Sequence, residues 1–139
     1  MKDYYIIDSH CDTLGKILDN GINAFNDGQC HISIDGLKTG RVGLQFFAAW
    51  VGPKYKYYPC LQRGLKLIDA YYTMLEYYPD TFFPLLCKDD IEKLNTENKI
   101  GALLAVEGGD ILEGEISNLR ILYHLGVRAI TLTWNYRNE

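Results

Sequence analysis

Residues 42–51, VGLQFFAAWV, carry one polar side chain in an otherwise unbroken apolar run. No other feature constrains the fold as strongly. A strand with one face in water alternates polar and apolar residues, so a continuous apolar run of strand length is expected to be covered on both faces. Residues 4–8, 100–106 and 128–133 read as further buried strands. Between them the period changes. Leu61, Leu65, Ile68, Tyr72 and Leu75 recur at helical spacing and fall on one helix face, with Pro79 placed to follow its end. A second helix is expected over residues 89–95, where Asp89, Asp90 and Glu92 suit a first turn, and a third over 115–124 with Gly126 as its stop signal. Buried strands alternating with helices imply parallel pairing, because parallel strands need crossover connections. The expected class is α/β with about four parallel strands, half of the eight that a closed (β/α)8 barrel of about 250 residues requires. With neither internal repeat nor linker, residues 1–139 read as a single unit, the N-terminal portion of such a barrel.

A hydrophobic fraction of 47% with 23% charged residues is that of a folded chain with a core. A formal charge of -4 gives no electrostatic reason to bind nucleic acid or an anionic membrane, and small neutral or cationic ligands fit better. The first residues have no apolar stretch of signal-peptide length, and no window approaches the roughly 18 apolar residues of a membrane span, so a cytoplasmic location is expected. Cys11, Cys30, Cys60 and Cys87 form no CxxC pair and are expected to be reduced thiols.

Chemistry concentrates where the strands end. In Asp8-Ser9-His10-Cys11-Asp12-Thr13, alternation at the end of the first strand sends His10 and Asp12 to one side and Cys11 to the other. An imidazole and a carboxylate so placed are a ready pair of zinc ligands, although HxD alone also describes a polar strand end. A second carboxylate, Glu107, ends the third apolar run and is followed by Gly108 and Gly109, which allow a tight turn and close backbone approach. A Glu there is costly unless it is paired or bound to a cation, and Arg128 or another base is the alternative partner. Trp134 and Asn135, ending the fourth strand, could line a substrate pocket or fill a core. His31 and His124 lack a carboxylate neighbour at a strand end and are assigned structural or surface roles, and the tyrosine-rich stretches YKYYPC and AYYTMLEYYPDTFF are assigned to packing. Neither GxxxxGK[ST] nor GxGxxG occurs, so a nucleotide site has no motif support.

Taken together, DSHCDT at 8–13, LKTGRVGLQFFA at 37–48, IGALLAVEGG at 100–109 and LGVRAITLTWN at 125–135 resemble the renal (membrane) dipeptidase family of zinc metallopeptidases, over nearly the whole chain. The resemblance implies a (β/α)8 barrel with two zinc ions that hydrolyses dipeptides through a hydroxide held between the metals, some members accepting a D-residue at the C-terminal position. It assigns His10 and Asp12 to the first zinc and makes Glu107 the catalytic, metal-bridging carboxylate. Trp50 falls where the family places an aromatic near the substrate. Trp134 stands where many members have a His that polarises the substrate carbonyl. The second zinc's two histidines, a substrate-carboxylate Arg and an Asp proton shuttle are expected beyond Glu139. By itself the chain is therefore expected to bind zinc weakly and to be inactive. Two other readings remain: a truncated half-barrel acting as an association module, whose exposed fourth-strand edge favours self-association or pairing with a missing C-terminal half, and another barrel metallohydrolase. The EGG motif and the GRVGLQFFAA run argue for the dipeptidase.

Overall fold

In the computed structural model, residues 5–55 and 59–138 are described. Tyr4 and the middle of YKYYPC lie outside them. Five strands are present among the described residues: β1 (Ile6–Asp8), β2 (Val42–Trp50), β3 (Phe82–Pro84), β4 (Ile100–Glu107) and β5 (Val127–Thr131). Five helices accompany them: α1 (Thr13–Asn20), α2 (Ile34–Thr39), α3 (Cys60–Tyr77), α4 (Asp90–Thr96) and α5 (Ile116–His124). Every strand pairing is parallel, in the order β1-β2-β4, and β4 carries two partners along its other edge. There β3 pairs Phe82 with Ile100 and Pro84 with Ala102, while β5 pairs Ala129 with Ala105 and Thr131 with Glu107. The four strands read from sequence are thus successive neighbours in one parallel α/β sheet.

Helices cover one face of that sheet. Phe47 and Ala49 of β2 and Ala102, Leu104 and Val106 of β4 share a buried cluster with Leu67, Tyr71 and Met74 of α3 and Leu14 and Ile17 of α1. Burying an aromatic or large aliphatic side chain of this kind is worth about 1.5–3 kcal/mol, so the helical face holds most of the stability. Tyr71, fully buried, donates its hydroxyl to the Ala102 carbonyl at 2.9 Å and so satisfies its own polar group in the core. Across the sheet, Leu44, Phe83, Leu85, Leu94 and Leu103 form a smaller cluster, with Phe46, Ala105 and Ala129 only partly covered.

Three elements escape the sequence reading. β3 is three residues long and ends in proline, too short to show a period. α1 follows the HxD segment directly, and α2 is six residues. In α3 the buried row is Gly64, Leu67, Ile68, Tyr71 and Met74, so Leu61, Tyr72 and Leu75 flank it and Leu65 is exposed. The row is set by Gly64, where a Cβ would overlap the Ile111 side chain. Gly126 does end α5, with φ +94 and no room for a Cβ beside the Tyr72 hydroxyl at 2.6 Å. All four cysteines are thiols, and among the described residues no helix is long and apolar enough to cross a membrane.

Candidate metal centre

β1 ends at Asp8, whose carboxylate accepts the His10 amide hydrogen at 3.2 Å and turns the chain out of the sheet. His10 and Asp12 therefore sit on the loop before α1 and not on the strand from which their alternation was inferred. The alternation persists for another reason. The Ala48 amide of β2 donates to the Cys11 carbonyl at 2.9 Å, and Cys11 and Thr13 are buried beneath the loop, leaving His10 and Asp12 outward. Burial pushes the Cys11 thiol up to about 12, against opposing hydrogen bonds from Thr13, so it is an inert packing group. Asp12 occupies the N-cap position of α1, but its carboxylate accepts no capping hydrogen bond from the helix amides, which leaves those oxygens for other work.

Glu107 arrives from the other side of the sheet centre. It ends the row Leu103, Ala105, Glu107 on the face away from α3, directly beside Trp50 in the β2–β4 register. The two glycines after it keep β4 bonded to the chain leaving β5: Gly108 donates to the Thr131 carbonyl at 2.8 Å and Gly109 to that of Leu132 at 2.7 Å. Gly108 has φ +93, and a Cβ on Gly109 would lie 2.9 Å from the Leu132 oxygen. Only glycine fits both requirements.

The three groups converge. His10 Nε2 lies 3.5 Å from Asp12 Oδ2 and 3.3 Å from Glu107 Oε2, and one ligand atom of each falls within 4.8 Å of the others. Glu107 is the most enclosed, its side chain 16% exposed against 49% for His10 and 58% for Asp12. Burial raises the pKa of the Glu107 carboxyl; the His10 imidazole opposes the shift and the Asp12 carboxylate adds to it. Two carboxylates drawn toward one imidazole cost energy that a divalent cation would offset, and nitrogen with carboxylate oxygen is a donor set that zinc accepts. The residues fit such an ion. Arg128 does not serve Glu107: its guanidinium donates to the carbonyls of Leu86, Tyr123 and Val127 and stacks on the Tyr123 ring.

Beside the cluster, Trp50 meets Trp134 edge to face at 5.1 Å, and Trp134 tilts onto Tyr136 at 5.8 Å. These rings, with Glu107 and Asp110, wall a cleft enclosing about 30 Å³. Asn135 is exposed and absent from its walls. A separate cavity of about 170 Å³ is bounded by His10, Asp12, Lys16 and His31; His31 is itself exposed, as is His124 on α5, in keeping with the structural or surface roles assigned to both. Asp110, Tyr136 and Lys16 were not foreseen. Asp110 reaches the rim because a short 3₁₀ turn after the glycine pair returns the third residue beyond Glu107 to it, a geometry the sequence does not announce.

Comparison with known proteins agrees with the fold. The family model described as membrane dipeptidase (peptidase family M19) matches residues 1–139. Human dipeptidase 3 is 33% identical over 143 residues, and dipeptidase ataJ of Aspergillus terreus is 32% identical over 126. These matches cover 96% and 85% of this chain, but the chain spans only 28% and 30% of those relatives. Among solved structures, the M19 metallopeptidase dipeptidase AC superposes with a TM-score of 0.88 at 17% identity, covering 99% of this chain and 45% of its own. A Rhodobacter sphaeroides metallopeptidase, liganded with a phosphinate mimic of the dipeptide L-Ala-D-Ala, gives 0.84 at 17% identity, covering 96% of this chain and 46% of its own. At that identity the likeness is one of fold.

Proposed function

The chain belongs to the membrane dipeptidase family, and from that premise we propose that its residues form the first metal-binding half of a zinc-dependent dipeptidase site. The observation that carries the reading is the convergence of His10, Asp12 and Glu107 at one rim of a parallel sheet. In this proposal His10, Asp12 and Glu107 would hold the metal. When bound, the metal lowers the pKa of a coordinated water toward neutrality and polarises the substrate carbonyl. Glu107, fixed at the end of β4 by its glycine turn, orients that centre and keeps it partly shielded from bulk water. Trp50 and Trp134 hold the dipeptide against the rim. Trp134 has no ring nitrogen basic enough to polarise a carbonyl as imidazolium would, so orientation is its proposed role.

Hydrolysis of L,L- and L,D-dipeptides by the full-length natural protein, followed with and without a chelator, tests this reading. Turnover should depend on metal, and His10→Ala should lose both. Chelator-resistant turnover would sink it. We also propose that the open side of the sheet is a pairing surface, for further barrel strands or for a second copy. Ile7 shares the Leu44 side of the sheet and is 55% exposed, and Leu132 is 65% exposed. Light scattering decides between monomer and self-association.

A further inference from the structure

We infer that Asp110, with the aromatic walls of the cleft beside Glu107, recognises the N-terminal α-ammonium of the dipeptide. This rests on the dipeptidase reading and adds to it a specificity residue. The cleft is small and one-signed. Glu107 and Asp110 supply two carboxylates, Trp50, Trp134 and Tyr136 supply three aromatic rings, and among the described residues no Lys, Arg or His lines it. The Asp110 carboxylate folds back over Gly108, so close that a Cβ there would stand 3.0 Å from its Oδ2, which puts it one residue away from Glu107 along the rim. Glu107 already faces His10, whereas the Asp110 carboxylate has no hydrogen-bond or ion-pair partner among the described residues.

A carboxylate set among aromatic rings is a cation site: the ring faces attract positive charge, and the carboxylate adds a charge-assisted hydrogen bond. About 30 Å³ gives room for a small charged head group such as an ammonium. In a dipeptide the α-ammonium sits on the carbon next to the scissile carbonyl. A carbonyl poised over the Glu107 end of the metal cluster therefore brings that group to the mouth of this cleft.

The test compares Ala-Ala with propionyl-Ala, which lacks only the amine, using the full-length protein in its zinc-loaded state. Wild type should bind Ala-Ala far better than propionyl-Ala, measured as substrate or competitive inhibitor. Asp110→Asn should lower kcat/KM for Ala-Ala by about 10- to 100-fold, mainly through KM, as expected for loss of a charged hydrogen bond. The inhibition constant of propionyl-Ala should stay unchanged, and metal content should remain full. Asp110→Glu, which keeps the charge, should recover part of the loss. If Asp110→Asn fails to hold metal, Asp110→Glu carries the test by shifting KM for Ala-Ala alone. An unchanged preference in Asp110→Asn, equal shifts for both ligands, or a loss confined to dipeptides bearing lysine would overturn the assignment. Absence of any dipeptide turnover by wild type would instead overturn the dipeptidase reading beneath it.

Discussion

Along β4, Ala102, Leu104 and Val106 point toward α3 and are fully buried, while Leu103, Ala105 and Glu107 point the other way, Leu103 buried and the two nearer the rim less so. Residues of the first row are held by packing and touch no chemistry. The second row ends in a carboxylate whose partial burial raises its pKa and which faces His10 at the rim. Substitutions on the two rows should therefore separate stability from function, and each prediction below tests that separation.

The largest effect is expected at the rim. Glu107→Ala should lower dipeptide turnover by more than about 100-fold, since losing even an outer-shell partner of a metal costs about 10- to 100-fold. Its unfolding midpoint without metal should not fall. Loss of fold in parallel with activity would erase the distinction between the rows. On the helical side, Phe47 is fully buried and in ring contact with Phe25, Tyr71 and Phe82. Phe47→Ala should cost about 3–5 kcal/mol in denaturant unfolding. A cost below about 1 kcal/mol would mean that the cluster is not the stabilising core.

Gly64→Ala sharpens the comparison because it links the regions. Alanine gains up to about 1 kcal/mol in helix propensity, yet a Cβ at this site collides with Ile111, and overpacking costs about 1–3 kcal/mol. Since Ile111 follows Asp110, the variant should also raise KM for Ala-Ala. A more stable variant with unchanged KM would contradict the packing.

The smallest effect carries the opposite sign. A carboxyl whose folded-state pKa is raised favours the folded state at low pH, and that contribution is lost as pH rises through the raised value. Above that raised value the metal-free protein bears the ionised group, so Glu107→Gln should stabilise it there, by less than about 1 kcal/mol after allowance for solvent screening. The gain should fade as pH falls into the carboxylate range. A destabilised Glu107→Gln in chelator would show that Glu107 is held by structure and not by a missing cation.

Much of this was legible in the sequence where a periodic signal was long enough. Residues 42–51 and 100–106 announce themselves as buried strands, and the structure pairs them in register from Leu44 opposite Gly101 to Trp50 opposite Glu107. β3 was hidden because three residues cannot display a period, and the buried row of α3 was displaced because apolar spacing does not reveal the close approach at Gly64. At the rim, His10, Asp12 and Glu107 were readable because each is a polar group at the end of an apolar run. Asp110 was not, because its place depends on the turn geometry imposed by Gly108 and Gly109.

Zinc titration calorimetry of the full-length protein and its Glu107→Ala variant at neutral pH bears most directly on the central claim. Wild type should bind zinc at a defined stoichiometry, and the variant should lose sites or bind far more weakly. Equal stoichiometry and affinity in the two proteins would contradict the account.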